Sequence, residues 1–274
     1  MTPEPTSSER SASDRAVGAI IMAAGKGTRM KSDLHKVMHE ACGQPMVRWV
    51  VDAAKAAGVD AITLIIGHGA DLVRAAFERD ASIRFAMQMP QLGTGHAVDQ
   101  ARPHFMPARA DDDVFVLCGD GPLIRPRTLR TLLETHRRSG ASATLATSVI
   151  PDPQGYGRIE RDARGDFRRI VEQKDATPGQ LAIREVNPSY YCFRVGDLFS
   201  ALSRVDNRNA SGEYYLTDVF ELLLKEGKRV AVVDAVPAED ILSVNTPEQL
   251  AEVDRILRGR TPAVSPDVAR GRYA

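Results

Sequence analysis

The sequence predicts an α/β fold, a mixed and mainly parallel sheet with helices on both faces. Strand-length apolar runs alternate with stretches of helical spacing along the first half of the chain, the order that parallel strands joined by crossover helices impose. After about Ser142 the runs become shorter and alternate in polarity, which adds a mixed or antiparallel extension and a second wall to a cleft. At 274 residues the chain is long enough to bury a large core, as one α/β domain or as two.

Residues 17–23 are continuously apolar and read as a buried first strand. A glycine-containing loop follows, then a helix beginning near Pro45, because the fixed φ of proline suits a first helical turn. Met46, Val50, Ala53, Ala54 and Ala57 are spaced for one face of that helix. Residues 61–66 repeat the strand signal, 70–77 the helix, 83–87 a strand, and 114–117 another strand that enters Cys118, Gly119 and Asp120. In the second part, 144–149, 158–161, 167–171 and 189–193 read as short strands, and helices around 212–225 and 247–257 flank a strand at 229–234. Functional loops belong at the carboxyl ends of the parallel strands. The folded unit is taken as residues 16–258, with a soft subdivision near 142. The leader, 1–15, and the tail, 259–274, have little apolar area to bury and are expected to be disordered.

Thirty-six basic residues balance 36 acidic ones, so no overall field favours nucleic acid or an anionic membrane. Cys42, Cys118 and Cys192 stand far apart without a CxxC pair, which argues against a disulfide framework or a zinc site. No apolar stretch approaches the roughly 20 residues of a membrane helix, and the N-terminus lacks the apolar core of a signal peptide. A reducing, cytoplasmic setting is expected.

The chemistry concentrates after the strands. Ala23-Ala24-Gly25-Lys26-Gly27-Thr28-Arg29-Met30 offers glycine backbone N–H groups and two cations to an anion, although a tight structural turn is an equal reading of that loop by itself. The spacing is neither GxxxxGK[ST] nor GxGxxG, so a P-loop ATPase and a dinucleotide fold are both unsupported. Lys36, a few residues on, has the reach to bring a second cation back to the same anion. Asp120 stands just past an apolar strand, where a carboxylate can hold a hard cation or cap a helix.

The run AAGKGTRM followed by SDLxK resembles the N-terminal signature of nucleotidyltransferases that make sugar nucleotides. Within that group the likeness is greatest to the uridyltransferase half of the bifunctional N-acetylglucosamine-1-phosphate uridyltransferase and glucosamine-1-phosphate acetyltransferase. It extends from about Val17 to Leu257 through Gln88-Met89-Pro90-Gln91-Leu92-Gly93-Thr94-Gly95-His96-Ala97, Cys118-Gly119-Asp120 and the NAxGEYYxTD run at 209–218.

The resemblance implies a Rossmann-like, glycosyltransferase A-type nucleotidyltransferase fold. It implies transfer of UMP from UTP to N-acetylglucosamine-1-phosphate, with Mg²⁺ as cofactor. Arg29 and Lys36 would handle the phosphates, and Asp120 and Asn245 would hold the metal. Ala23, Ala24, Gly25, Gln88, Gln91, Gly93, Thr94, Cys118 and Gly119 would surround the nucleotide. An amide such as Gln88 suits a base edge because it presents both a donor and an acceptor. Gly157, Glu172, Asn187, Glu213 and Tyr215 would surround the sugar. No serine, cysteine or histidine nucleophile is required, since a phosphate monoester is itself nucleophilic at neutral pH. UTP and a sugar-1-phosphate are the expected partners, with neither nucleic acid nor membrane.

Three departures from the family pattern stand out: His35 replaces a proline before Lys36, Gly121 an apolar residue after Asp120, and Pro188 follows Asn187. Pro188 removes a backbone donor and biases Asn187 toward extended backbone, which bears on the acetamido pocket. The hexapeptide-repeat β-helix of the bifunctional relatives is not in this sequence, so neither acetyltransferase activity nor the trimer that the helix supplies is expected. Two other readings remain: a nucleotidyltransferase for another hexose-1-phosphate such as glucose-1-phosphate, and a non-catalytic nucleotide-sugar sensor.

Overall fold

The structure, a computed structural model, describes residues 15–107, 109–234 and 236–260. Of the expected leader and tail, residues 1–14 and 261–274 lie outside the described residues. Arg15, assigned to the leader by composition, is buried and paired with Asp113. Gly259 and Arg260, assigned to the tail, continue the last helix, and Arg260 pairs with Asp240 at 2.6 Å.

The continuous apolar run forms β1 (Val17–Met22), whose Ile20 and Ile21 are wholly buried. Each such side chain contributes about 1.5–3 kcal/mol by leaving water. The loop after it carries two 3-10 turns, Thr28–Met30 and Lys36–Met38, and a short ladder of β2 (Glu40–Ala41) with β3 (Gln44–Pro45). Pro45 caps α1 (Met46–Ala56), as its backbone restriction predicts. Then come β4 (Ala61–Ile66), α2 (Ala70–Phe77) and β5 (Ile83–Met87), all at the expected bounds. Two short helices, α3 (Thr94–Asp99) and α4 (Arg102–Phe105), precede β6 (Asp113–Cys118).

The sequence reading omitted α5 (Pro126–Ser139), although it has Pro126 in its first turn and Gly140 at φ 61° past its end. The strand expected at 144–149 divides at Thr147 into β7 (Ala143–Ala146) and β8 (Ser148–Val149). Thr147 is fully buried and donates its backbone N–H to Val233 at 2.8 Å and its hydroxyl to Glu185 at 2.8 Å, so the chain crosses there from one sheet to the other. Next are β9 (Gly157–Arg161), β10 (Phe167–Val171), the single turn α6 (Pro178–Leu181), β11 (Glu185–Asn187), β12 (Tyr191–Arg194) and α7 (Val195–Leu202). The helix expected from 212 begins later, as α8 (Asp218–Lys225), because 209–216 is held by bonds to other loops. It is followed by β13 (Val230–Val233) and α9 (Pro247–Arg260).

The main sheet has seven strands in the order β13-β7-β12-β6-β1-β4-β5, with β12 antiparallel to both neighbours and the other pairs parallel. A second, antiparallel sheet runs β10-β9-β11-β8. From β1 the chain winds outward through β4 and β5, then returns to place β6 on the other side of β1. The carboxyl ends of β1 and β6 therefore flank a switch point, where open α/β sheets form their crevice. Strands β7, β12 and β13, all beyond residue 142, join this same main sheet.

Candidate functional site

Beyond β1 the chain turns by a left-handed Gly27, φ 64°, into the 3-10 turn Thr28–Met30. Met30 anchors that turn in a small core with Met46, Leu123 and Val253, which leaves Arg29 pointing outward. A Cβ on Gly27 would sit 2.4 Å from the Cβ of Lys36, so the lysine stem lies directly across this glycine. Buried His35 and Val37 on either side fix the lysine backbone. The burial of His35, with His68 6.0 Å away ring to ring, pushes its imidazole down to about 4.

Asp120 follows β6, where the Gly119 N–H donates to the Met22 carbonyl at 2.9 Å and locks the β6 loop to the end of β1. Asn245 arrives from the other end of the sequence, just before α9. Its loop is tied to the first by Val244 N–H donating to the Asp120 carbonyl at 2.9 Å. The Lys36 ammonium makes a close ion pair with Asp120 and donates to Asn245 Oδ1 at 3.1 Å, and Arg29 donates to the same Oδ1 at 2.8 Å. Thus the four residues singled out for phosphate and metal work form one cluster.

Three cavities reach it; the third, about 320 Å³, is lined in part by Arg29, Asn245 and Gln249. The first, about 310 Å³, has Ala24, Gly25, Lys36 and Asp120 at one end and Gln88, Gln91, Gly93 and Thr94 at the other. Cys118 contributes to its wall, its thiol pushed up to about 12 by burial. Ala23 and Gly119 lie behind the wall, bonded to Ile65 and Met22. Gln88 donates to the Gly93 carbonyl at 2.9 Å and lies 3.3 Å from His96 Nδ1, while Gln91 bonds the Ala24 carbonyl. Sequence reasoning missed the apolar side of this cavity, Met22, Val37 and Ala97, because nothing but their placement distinguishes them from core residues.

The second cavity, about 450 Å³, shares Thr94 and Glu213 with the first and adds Arg29, Glu172 and Tyr215. Gly95 N–H donates to Tyr214 O at 2.7 Å and Leu216 N–H to Thr94 Oγ1 at 3.0 Å, so the two cavities have a common hydrogen-bonded rim. Burial raises the Glu172 carboxyl, which accepts from Thr217 Oγ1 at 3.0 Å. Burial and then Glu172 raise Asp218 to about 6.

Gly157 and Asn187 are neighbours across β9 and β11 but are not on this cavity's wall. Asn187 Nδ2 donates to the Tyr191 hydroxyl at 2.7 Å and its Oδ1 accepts from Ser189 N–H at 3.1 Å. Pro188 fits this local turn, since Ser189, with φ 61°, supplies the donor that proline lacks. The Gly121 departure also has a spatial reason: a Cβ there would meet the Tyr190 hydroxyl at 3.1 Å.

Gln249 was also missed. Its Oε1 accepts the N–H groups of Asn245 at 2.7 Å and Thr246 at 3.1 Å, and its own N–H donates to Thr246 Oγ1 at 3.3 Å, which fixes the peptide carrying Asn245. The spacing Thr246-x-x-Gln249 is a capping box and was legible in the sequence.

Among the described residues no group of three or more His, Cys, Asp or Glu can hold a metal. Asp120 and Asn245 do, however, aim two oxygens at one ammonium. A carboxylate and an amide oxygen suit Mg²⁺, which completes its octahedron with water and substrate phosphate.

Comparison with solved structures places the fold. A putative glucose-1-phosphate thymidylyltransferase from Bacillus anthracis superposes with a TM-score of 0.73 at 18% identity, covering 91% of this chain and 98% of its own. A UDP-glucose pyrophosphorylase complexed with UDP-glucose gives 0.69 at 15% identity, covering 90% and 100%. The architecture is thus a glycosyltransferase A-like α/β fold. The chain belongs to the family of MobA-like NTP transferase domains, whose model matches residues 19–208. It is 47% identical over 248 residues to the bifunctional protein GlmU of Geobacter metallireducens, across 89% of this chain and 51% of the relative. The GlmU of Pelotomaculum thermopropionicum is 47% identical over 244 residues, across 89% and 52%. The chain spans about half the length of these relatives. Among the described residues no helix is long and apolar enough to cross a membrane.

Proposed function

We propose that this nucleotidyltransferase transfers UMP from UTP to N-acetylglucosamine-1-phosphate, releasing pyrophosphate and UDP-N-acetylglucosamine. The observation that carries the reading is the convergence of Arg29, Lys36, Asp120 and Asn245 in one cluster, with Lys36 and Asp120 on the wall of the first cavity and Arg29 on the wall of the second. Nucleotide takes the first cavity, with the base toward Gln88, Gly93 and Thr94 and the phosphates toward Gly25 and Lys36. The sugar takes the second, where Glu172, Glu213 and Tyr215 offer hydrogen-bonding groups to its hydroxyls and acetamide.

The reaction is in-line attack of a sugar-1-phosphate oxygen on the α-phosphorus, with pyrophosphate leaving. The chain supplies alignment and charge, which carry most of the catalysis in phosphoryl transfer. Lys36 orients the phosphates from its fixed stem. Arg29, on the wall of the second cavity, neutralises charge that builds on the leaving pyrophosphate. Asp120 and Asn245 are the residues that would hold Mg²⁺. When bound, that ion would offset the negative charge of the phosphates. The neutral Cys118 thiol packs the cavity and takes no proton.

One observation favours a second reading, another hexose-1-phosphate such as glucose-1-phosphate as acceptor: both polar atoms of the Asn187 amide are engaged within its own turn. The test is steady-state pyrophosphate release by Arg29→Ala, Lys36→Ala and Asp120→Ala, each verified as folded. We expect rate losses on the order of 10²-fold or more for each, with Asp120→Ala also losing its response to Mg²⁺ titration. Normal turnover in all three refutes the assignment.

A further inference from the structure

The Lys36–Asp120–Asn245 contact has a direct bearing on the cation that those oxygens are read as holding, and the inference rests on that reading. Asp120 and Asn245 come from loops 125 positions apart in sequence, yet each is braced. Val244 bonds the Asp120 carbonyl, and Gln249 holds the Asn245 peptide. Their oxygens are therefore preorganised around one point. Lys36 Nζ fills that point, in a close ion pair with Asp120 and 3.1 Å from Asn245 Oδ1. Arg29 bonds the same amide oxygen at 2.8 Å.

The lysine is held unevenly. The root of its stem is pinned across Gly27, whereas the head is joined to it by freely rotating methylenes and retains 15% side-chain exposure. The stem stays in place while the ammonium can swing into the cavity whose wall it shares with Gly25.

We propose that the Lys36 ammonium is a resident counter-cation of the Asp120–Asn245 pair, displaced only when substrate phosphate gives it another anionic partner. A divalent cation reaching the substrate-free protein meets no vacant oxygen pair. It must break a partly buried ion pair and then lie near the Lys36 and Arg29 cations, both unfavourable. A triphosphate removes the obstacle by drawing Lys36 onto its own oxygens. Metal and nucleotide then bind with positive coupling, and the free protein binds metal weakly. Lys36 thus has two sequential partners, and its removal has opposite effects on metal affinity and on turnover.

The test uses Mn²⁺ alone as probe, with free ion read by electron paramagnetic resonance in the absence of nucleotide. It compares the wild-type chain with Lys36→Met, which keeps the stem and removes the charge, with Asp120→Ala, and with the two substitutions combined. Lys36→Gln stands in if circular dichroism finds Lys36→Met unfolded. The expected result is Mn²⁺ binding about tenfold tighter in the single variant than in the wild type, a gain abolished in the double variant. Equal or weaker binding in the single variant overturns the counter-cation role. If Asp120→Ala alone still abolishes Mn²⁺ binding, the metal pair itself stands. A gain that survives in the double variant overturns both, because the cation would then lie elsewhere.

Discussion

Replacing Gly27 by alanine tests whether the glycine-containing loop is a platform for Lys36. The residue sits at φ 64°, and an L side chain in that region costs roughly 1–2 kcal/mol. The added Cβ would lie 2.4 Å from Lys36 Cβ, 3.0 Å from Cγ and 3.1 Å from Cδ. Carbon pairs settle near 3.5–4.0 Å, so the lysine root must shift by about 1 Å. Because the clash is with the root of the stem, rotation of the far end does not relieve it, and overpacking adds about 1–3 kcal/mol. The total is a stability loss of about 3 kcal/mol, read as a lower urea midpoint at unchanged slope. A 1 Å misplacement of a charge-positioning group costs on the order of 10²-fold in rate, read as kcat/KM for pyrophosphate release. Gly25 provides the contrast, because its added Cβ meets nothing within 4 Å. Gly25→Ala should hold stability within about 0.5 kcal/mol while raising the nucleotide KM, since the methyl enters the cavity. A Gly27→Ala protein with wild-type stability and turnover would refute the platform argument.

Asp113 lies at the start of β6, at the opposite end of that strand from Asp120, with no exposed surface and with Arg15 at 3.2 Å and Arg137 at 2.8 Å. Asp113→Ala strands these guanidinium groups and should cost about 3–5 kcal/mol. Thermal melting reads that loss, while kcat of the folded fraction stays at the wild-type value. His35 binds its proton near 4 in the folded chain against 6.5 for the free imidazole. Between those values the unfolded state holds more protons, so stability rises with pH across the window and is lost as pH falls through it, by on the order of 3 kcal/mol in all. Urea titrations of wild type and His35→Gln from pH 4 to 7 measure the difference. A difference in stability that does not vary with pH would contradict the cause assigned to the shift.

The strands at 61–66 and 83–87 and the helix at 70–77 were legible to the residue because each is an apolar run or stripe bounded by turn-forming residues. The helix α5 was not, because its buried positions, Thr128, Leu129, Leu132 and His136, form a narrow stripe in a segment otherwise rich in arginine. The division of 144–149 was hidden for another reason. The bend at Thr147 depends on Val233 and Glu185, distant partners that no local window contains. At the site, spacing alone left Arg29, Lys36 and Asp120 open between phosphate or cation binding and a turn, surface or capping role. Family resemblance linked them to one another and to Asn245, and the fold supplies the reason by bringing three loops, after β1, after β6 and before α9, to one place. For Asn187 the motif named the residue, but Pro188 and Ser189 turned its amide into a local hydrogen-bonded turn. Gln249 is the reverse case, a residue with a clear capping signature whose importance appears only once Asn245 is in place.

The decisive measurement is pyrophosphate release from the purified chain with UTP and Mg²⁺, comparing N-acetylglucosamine-1-phosphate with glucose-1-phosphate and galactose-1-phosphate. Release that depends on both substrates is expected, with kcat/KM highest for N-acetylglucosamine-1-phosphate. Higher kcat/KM for another sugar contradicts the acceptor assignment, and no release with any sugar contradicts the catalytic reading itself.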